Sequence, residues 1–452
     1  MIYHIKEMSV SEIAKAVSGK IISGNETLKI SAVSCDSRTI DEKTLFIPLK
    51  GERFDGHDFL PDVCQKGVGG ILCHGETNVE APFIVSVEDT QKALLDLASY
   101  YRSLFDIPVV GLTGSVGKTT TKELISSVVS RKYNTHATKG NFNNNIGVPY
   151  TVFGLTDDHG AAVIEMGMSN FGEISVLSKC ARPCIGVITN IGTSHIEYLG
   201  SQEGILKAKS EIFDGMDDEG VVVLNGDDPY LLTLKGKVDC KKMIFTGVEN
   251  KNCDICAEDI ETTEKGCSFK VDGKSYFINL AGAHNVYNAL AAIAVGRELG
   301  IEDEEIKIGL ENYHSDGIRQ NIIGINGYKI INDCYNSSPQ SATAALGVLE
   351  CVESKRRIAV LGDIAELGDK TEELLRGLGK NVEKSGTDVL VTVGDVSKFI
   401  AMEAKSKECY AFPDAVKAAE FLKGFLKPED AVLIKGSRCM KMEQIYNILD
   451  GE

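Results

Sequence analysis

The stretch PVVGLTGSVGKTTTK, residues 108–122, combines an apolar strand, a glycine turn and the first turn of a helix. Gly114 and Gly117 can adopt backbone conformations closed to other residues, so successive N–H groups can point at one anion. Lys118 adds a charge for the outer phosphates of a nucleotide, and Thr119 adds a hydroxyl for Mg²⁺ at the positive end of the helix. The pattern predicts a phosphate-binding loop; a glycine turn that only caps a helix is the alternative.

One position departs from the usual form of this loop. The strict pattern has a glycine five residues before Gly117, and this chain has Leu112 there. Ser115 and Thr120 complete the loop, and we expect both to lie beside the phosphates.

Length and composition limit the class of protein. The chain has 452 residues, enough for roughly three domains, and its 25% charged residues are typical of a globular protein. A formal charge of −17 argues against a nucleic-acid surface, but it is compatible with a local pocket that binds a small anionic substrate. No apolar run is long enough to span a bilayer, and the N-terminus lacks a signal-peptide pattern. We expect a cytoplasmic monomer.

The order of apolar runs predicts three α/β domains, over residues 1–104, 105–315 and 316–452. The first is small and mixed. The front half of the second alternates buried strands with helices, which is typical of a parallel sheet. The third contains four strands with intervening helices, which indicates a Rossmann-like fold without a dinucleotide fingerprint.

Two polar side chains follow neighbouring strands of the second domain. Glu165 ends the strand AAVIE, and His195 lies just beyond the strand CIGVITN. Ligands of open α/β sheets bind at the carboxyl ends of strands, where these groups and Thr119 would meet. We expect Glu165 to bind Mg²⁺; a strand-end turn residue is the alternative, and a structural histidine is the alternative for His195.

Two further residues of this domain are candidates. Lys209 lies on the apolar stripe of the helix SQEGILKAKSEIFDGM, so its amine must be paired, reach solvent, or be altered to a carbamate that could bind a metal. Asn288 lies one turn into the helix that begins near HNVYN, where its amide can read an adenine edge. Asn285 is a plausible cap of the same helix.

The thirteen cysteines form no regular framework, which favours a reducing compartment. Cys253 and Cys256 form a C-x-x-C between Cys240 and Cys267, so a zinc site is an alternative to four small hydrophobic residues in ordinary strands.

Taken together, the segments resemble the Mur ligases of bacterial cell-wall synthesis over essentially the whole chain. TG-x-x-GKT replaces the full phosphate-loop pattern in that family, and GAHNVYNALAA is similar to its HN-x-x-NALAA helix. Within the family, LFIPLKGERFDGHDF, TKGNFNNNIGVP, INDCYNSSPQS and LGDIAELGD most resemble the ligases that add D-alanyl-D-alanine to UDP-N-acetylmuramoyl-tripeptide.

The resemblance implies a role for each matching residue. It implies that Lys118, Thr119 and the loop hold the ATP phosphates and Mg²⁺, that Glu165, His195 and a carbamylated Lys209 complete two magnesium sites, and that Arg319 meets the γ-phosphate. Asn288 would contact adenine and Asp333 the ribose. The implied substrate-binding residues are Ser34, Asp36, Ser37 and Arg38 at the uridine diphosphate, Asn141, Asn143 and Asn144 along the nucleotide-peptide, and Asn336, Ser338, Lys435 and Arg438 at the dipeptide.

The implied reaction is ATP-dependent formation of an amide through an acyl phosphate. Two alternatives remain: a sister ligase that adds the third peptide residue or a related amide ligase, and a P-loop nucleotide-binding protein without ligation chemistry. Substrate tests separate the first, and phosphate release that ignores any amine acceptor would favour the second.

Overall fold

A computed structural model describes residues 2–51, 53–75, 77–314 and 321–451. The strands in these ranges form four sheets, of six, seven, three and six strands. The predicted α/β class, with a parallel sheet at the centre of the chain, is confirmed. The domain boundaries at residues 104 and 315 stay predictions.

The first domain is built on a mixed sheet that carries the loop after Ser34. Its elements are β1 (Tyr3–Ser9), α1 (Val10–Ala16), β2 (Lys20–Gly24), β3 (Lys29–Ser34), β4 (Thr44–Phe46), a 3₁₀ turn (Gly56–Phe59), α2 (Leu60–Gln65), β5 (Gly70–His74), β6 (Phe83–Val87) and α3 (Thr90–Arg102). The strand order is β1-β3-β4-β5-β6-β2, with antiparallel pairs at the two edges and parallel pairs between them.

The second domain holds the phosphate-binding loop. Its elements are β7 (Val109–Thr113), α4 (Lys118–Val129), β8 (Thr135–Ala137), α5 (Gly147–Phe153), β9 (Ala161–Glu165), α6 (Glu173–Ala181), β10 (Ile185–Ile188), α7 (Ile196–Leu199), α8 (Gln202–Ser210), a 3₁₀ turn (Glu211–Gly215), β11 (Val221–Asn225), α9 (Pro229–Leu232), β12 (Lys242–Gly247), β13 (Ile255–Cys256), a sheet of β14 (Glu258–Thr263), β15 (Gly266–Val271) and β16 (Lys274–Ile278), α10 (His284–Glu298) and α11 (Asp303–Glu311).

The main sheet of this domain is parallel throughout, in the order β13-β12-β11-β10-β7-β9-β8. Successive residues of one strand serve opposite helix layers: Val163 packs in the cluster with α4 and α10, whereas Ala162 and Ile164 pack in the cluster with α5, α6 and α8. Burial on both faces explains the continuous apolar runs of β7, β9 and β10, and it leaves polar groups only at the strand ends.

The third domain is a six-stranded sheet with helices on both faces. Its elements are β17 (Asn321–Ile325), β18 (Tyr328–Asn332), α12 (Pro339–Cys351), β19 (Arg356–Gly362), a 3₁₀ turn (Gly368–Lys370), α13 (Thr371–Lys384), β20 (Val389–Val393), α14 (Lys398–Ala401), β21 (Glu408–Phe412), α15 (Ala415–Phe425), β22 (Asp430–Lys435), a 3₁₀ turn (Arg438–Met440) and α16 (Glu443–Asp450).

The prediction of four strands in this domain was incomplete. The order is β17-β18-β22-β19-β20-β21, so the four predicted strands form the centre and an additional strand lies at each edge. β17 pairs antiparallel with β18, and β21 is parallel but half exposed. Edge strands have one uncovered side, so their apolar pattern is weak in the sequence.

None of the helices in the described part of the chain has the length and apolar character that a bilayer crossing requires.

A buried arginine joins the first two domains. Arg102, at the end of α3, is 7% exposed, and its guanidinium donates to the backbone carbonyls of Phe105, Ile107 and Ala181 at 2.6, 3.0 and 3.0 Å. Burial lowers the pKa of Arg102, and the three carbonyls accept its protons in place of water.

Arg102→Met should lower the stability of the chain by about 3 kcal/mol, because the variant leaves buried carbonyls without donors. Urea denaturation followed by circular dichroism measures the loss. Arg131, which pairs with Glu305 in a partly exposed contact, is the matched control, and Arg131→Met should change stability by less than about 1 kcal/mol. Equal effects of the two substitutions would contradict this account of the domain junction.

Candidate active site

The phosphate-binding loop has the backbone that its sequence predicts. Gly114 has φ +156° and Gly117 has φ +84°, and α4 begins at Lys118. A Cβ on Gly114 would lie 1.8 Å from Oγ1 of Thr189, and one on Gly117 would lie 2.7 Å from Oδ1 of Asn288. Both positions therefore require glycine for their conformation and for the close approach of neighbouring segments.

The structure also explains the departure at Leu112. This residue belongs to β7 and is fully buried in the cluster that packs against α4. The turn therefore begins only at Gly114, and the strand position is filled by a core side chain.

The loop is fixed by the segment that follows β10. The N–H groups of Ser115 and Val116 donate to the backbone and side-chain oxygens of Asn190 at 3.1 and 3.0 Å. The Ser115 hydroxyl accepts from the N–H of Gly192 at 2.9 Å. These contacts fix the shape of the loop. The Lys118 amine donates to the carbonyl of Gly114 at 2.8 Å.

Glu165 lies at the centre of the predicted metal site. The residue is 1% exposed, and its carboxylate accepts from Oγ1 of Thr119 at 3.0 Å and from Nδ2 of Asn143 at 2.8 Å. Its backbone N–H donates to Oγ1 of Thr138 at 3.0 Å. These contacts bring a phosphate-loop hydroxyl, a strand-end carboxylate and a predicted substrate residue together.

The structure excludes one of the three alternatives left open for Lys209, because its side chain does not reach solvent. It is 2% exposed, and no hydrogen bond or ion pair of its amine occurs among the described residues. Burial first, and then the charge of Lys118, hold the pKa of Lys209 well below its ordinary value. The amine is therefore disposed to be neutral, whereas Lys207 on the other face of α8 is exposed.

His195 precedes α7 in a left-handed conformation with φ +63°. Its Nδ1 lies 2.6 Å from Oε2 of Glu366, a residue of the third domain. The N–H direction lies off the line to that oxygen, so the contact is a close polar pair rather than a straight hydrogen bond.

Asn288 lies against the phosphate loop. Its Oδ1 accepts from Oγ1 of Thr121 at 3.0 Å, and its Nδ2 donates to Oδ1 of Asn285 at 2.9 Å. The interpretation of Asn285 as a helix cap is wrong, because α10 begins at His284 and the Asn285 amide donates back to the carbonyl of Ala281.

Asn288 also borders a largely apolar cavity of about 280 Å³ next to the phosphate loop. Its other walls include Val187, Leu224, Asp228 and Tyr287. An apolar slot with a few polar groups beside a phosphate loop has the character of a site for a purine base.

In the third domain, Lys435 and Asp333 form a buried pair. Lys435 is 3% exposed, and its amine lies 2.6 Å from Oδ2 of Asp333 and 2.9 Å from the carbonyl oxygen of Asn336. Ser338 caps α12 by accepting from the N–H of Ser341 at 3.2 Å. Arg438 is mostly exposed and donates to Glu443 at 3.1 Å.

The first-domain candidates form a compact turn after β3. The Asp36 carboxylate accepts from Nε and Nη2 of Arg38 at 2.8 and 2.9 Å, and the guanidinium holds the pKa of Asp36 well below its ordinary value. Ser34 is buried, its hydroxyl accepts from the N–H of Asp36 at 3.0 Å, and Ser37 is half-buried.

A cavity of about 360 Å³ between the second and third domains collects most of the predicted residues. Those that line it are Ser115, Gly117, Lys118, Thr119, Thr120, Asn141, Asn143, Asn144, Glu165, His195, Asn288, Asp333, Asn336, Ser338 and Lys435. Those that do not line it are Gly114, Lys209, Arg438 and the first-domain group Ser34, Asp36, Ser37 and Arg38. Arg319 lies outside the described residues.

The sequence analysis missed several residues of the same cavity. Tyr335 lies within the strand-end segment INDCYNSSP, so its position alone was a usable signal. Glu173, at the start of α6, accepts from the N–H of Ser169 at 2.7 Å and shapes the loop beside Glu165. Nothing in the sequence distinguishes Glu173 from an ordinary acidic residue in a first helical turn.

The donor set of this cavity suits a hard divalent cation. A buried carboxylate beside a phosphate-loop hydroxyl supplies oxygen ligands of the kind Mg²⁺ prefers, and neither Thr119 nor Asn143 offsets the charge of Glu165. Within the described residues, no group of three or more His, Cys, Asp or Glu side chains could hold a metal ion. A site here therefore has to use the Thr119 hydroxyl and water or substrate oxygens as well. Cys253 and Cys256 likewise belong to no such group.

Models of Mur ligase domains match three segments of the chain. The family catalytic domain matches residues 29–102, the middle domain matches residues 112–296, and the glutamate ligase domain matches residues 318–438.

Individual relatives match nearly the full length. The chain is 39% identical to UDP-N-acetylmuramoyl-tripeptide–D-alanyl-D-alanine ligase of Bacillus subtilis, over 98% of each chain. It superposes on a crystal structure of MurF from Acinetobacter baumannii with a TM-score of 0.93 and 31% identity, covering 99% and 100% of the two chains. It superposes on MurF ligase from Thermotoga maritima in complex with ADP with a TM-score of 0.83 and 28% identity, covering 92% and 96%. The chain belongs to the Mur ligase family.

Proposed function

We propose that this chain is an ATP-dependent ligase that joins D-alanyl-D-alanine to UDP-N-acetylmuramoyl-tripeptide, a step of peptidoglycan precursor synthesis. The observation that carries the proposal is the 360 Å³ cavity in which a preformed phosphate loop, a buried carboxylate and the strand ends of a second α/β domain meet. The full-length identity to ligases with this activity supports the choice of substrates.

The reaction needs phosphoryl transfer followed by amide formation. A carboxylate oxygen of the tripeptide attacks the γ-phosphorus of ATP, and ADP leaves. The amine of the dipeptide then attacks the acyl carbon, phosphate leaves with the electron pair of the broken C–O bond, and the amine loses one proton. No side chain has to act as a nucleophile, so the chain contributes mainly position and charge.

Lys118 and the N–H groups of the first turn of α4 would hold the phosphates. The loop is already pinned to Asn190, so binding does not have to order it. On binding, the Lys118 amine would exchange the Gly114 carbonyl for phosphate oxygens. We propose that Arg319 assists at the γ-phosphate and that the adenine occupies the apolar cavity beside Asn288.

Thr119, Glu165, His195 and a carbamylated Lys209 would hold Mg²⁺, which neutralises phosphate charge during transfer when bound. A neutral amine is the form that adds carbon dioxide, and burial favours that form at Lys209. The enclosure between domains would keep water from the acyl phosphate.

We also propose that the enzyme acts as a monomer in the cytoplasm. All thirteen cysteines are free, and four of them are buried where they pack as small hydrophobic residues. A reducing compartment suits this usage.

Purified protein with Mg-ATP and UDP-N-acetylmuramoyl-tripeptide should release phosphate only when D-alanyl-D-alanine is added. The product should gain the mass of the dipeptide minus water, as mass spectrometry can verify. Consumption of the shorter nucleotide-dipeptide with a diamino acid would instead identify a sister ligase. Phosphate release that ignores every amine acceptor would contradict ligation altogether.

Lys209→Ala should reduce ligation by at least about a hundredfold, because the variant removes the side chain proposed to carry the carbamate, while the chain stays folded by circular dichroism. Added acetate or propionate should restore part of the rate by supplying a carboxylate in the space of the carbamate. Lys207→Ala, on the exposed face of the same helix, is the control and should keep normal activity. Full activity of Lys209→Ala would remove the carbamate from the proposal.

The pairing of Lys435 with Asp333 suggests a different role from the dipeptide contact that the resemblance implies. We propose that the buried amine orients Asp333 and the backbone at Asn336, and that Asp333 in turn meets the ribose. The amine already has two protein acceptors, which leaves it poorly placed to receive a dipeptide carboxylate.

Lys435→Met should therefore raise KM for ATP by about tenfold or more, equal to about 1.4 kcal/mol, and leave KM for the dipeptide within about twofold. Asp333→Asn should act in the same direction, and the double variant should cost less than the sum of the two. Lys423→Met, at an exposed position of α15, is the control. A selective rise in KM for the dipeptide would return Lys435 to the dipeptide site.

A further inference from the structure

The segment that carries His195 is held from two sides. We call residues 189–195, which follow β10, the histidine loop. On one side it contacts the phosphate loop, where the N–H of Gly192 donates to the hydroxyl of Ser115 at 2.9 Å. Nε2 of Gln202, at the start of α8, donates to the carbonyl of Ile191 in the histidine loop at 2.9 Å. The second domain thereby fixes the base of the histidine loop.

The third domain holds the other end of the histidine loop. The hydroxyl of Thr193 donates to Oε1 of Gln340 at 2.9 Å. The backbone N–H of Glu197 donates to the carbonyl of Glu366 at 3.3 Å, and Oε2 of Glu366 lies 2.6 Å from Nδ1 of His195. Backbone and side chain of one third-domain residue thus both contact the segment around His195.

Both members of the close pair adopt a conformation that few non-glycine residues take. His195 has φ +63° and Glu366 has φ +62°. Such a conformation costs free energy and persists only where the surroundings require it. Gly368, two residues after Glu366, has φ +53°, and a Cβ there would approach Cγ of Glu197 to 3.1 Å. The two turns are shaped to approach each other closely.

The contact with Glu366 determines which imidazole nitrogen of His195 could bind a metal ion. A carboxylate next to Nδ1 favours the tautomer that carries its proton there, which leaves Nε2 as the nitrogen with a free lone pair. Nδ1 itself is buried from water.

We propose that Glu366 is a positioning residue for the metal site: it orients His195 from the third domain, so that the site is complete only when that domain is docked. The inference rests on the proposed function, in which His195 binds Mg²⁺. The affinity of the site for the divalent ion would then depend on the contact between Glu366 and His195, which joins the third domain to the second. Glu366 itself does not touch substrate or metal in this account.

The test measures metal binding directly. Mn²⁺ is titrated into the full-length protein with saturating ADP, and free Mn²⁺ is followed by electron paramagnetic resonance. Glu366→Ala should weaken Mn²⁺ binding by about 10- to 100-fold, the usual effect of losing a group that orients a metal-bound histidine. Glu366→Gln keeps an acceptor without the charge, so its loss should be smaller.

A matched control and a double variant separate orientation from general damage. Asp369→Asn removes an exposed acidic group three residues away with no contact to His195 and should bind Mn²⁺ normally. In a His195→Ala background, Glu366→Ala should have no further effect on Mn²⁺ affinity, because its influence passes through the ring. In ligation assays, Glu366→Ala should raise the Mg²⁺ concentration for half-maximal rate more than it lowers kcat at saturating Mg²⁺.

Normal Mn²⁺ affinity of Glu366→Ala, with binding by the unaltered protein intact, would overturn the inference and leave the proposed function standing. Additive losses in the His195→Ala background would also overturn it, because Glu366 would then act elsewhere. If the unaltered protein with ADP bound no Mn²⁺, the proposed metal site itself would fail, and the inference with it.

Discussion

The site is centred on a buried carboxylate, Glu165, whose side-chain hydrogen-bond donors within the described ranges are neutral groups. Glu165 ends a fully buried strand, and its oxygens accept from a hydroxyl of the phosphate loop and from an amide of the loop that contains Asn143. Burying an ionised carboxylate is costly unless it is paired or coordinates a metal, and two neutral donors offset only part of that cost. A divalent ion bound there, as proposed above, would supply the positive charge that these donors lack.

The parts of the site that lie within one stretch of sequence were predictable. The turn from Gly114 to Thr119 follows from residue types alone, because the positive φ values and the helix start are local properties. The apolar helical stripe placed Lys209 on the inner face of its helix, but only the structure showed that the amine does not reach solvent. The parallel central sheet followed from its apolar runs, which reflect burial on both faces.

Contacts between distant segments could not be predicted in this way. Lys435 and Asp333 each stand at a strand end, and periodicity places both at the ligand edge without revealing that β18 and β22 are neighbours. The role of Lys435 at the dipeptide stays a prediction, and the structure adds that its amine is paired with Asp333. His195 and Glu366 belong to different domains, so only the packing of those domains brings them together. The two edge strands of the third domain, β17 and β21, were also not predicted, because strands covered on one side carry little apolar pattern.

The arrangement of contacts matches the demands of a reaction in two steps. The phosphate loop and the residues that fix it come from one domain. Two groups of the third domain face it: Lys435 is paired with Asp333 within that domain, whereas Glu366 contacts His195 of the second domain. An acyl phosphate must meet its amine before it meets water. A metal site that draws on both domains would couple activation of the carboxylate to enclosure of the cavity, because neither would be complete while the domains are apart.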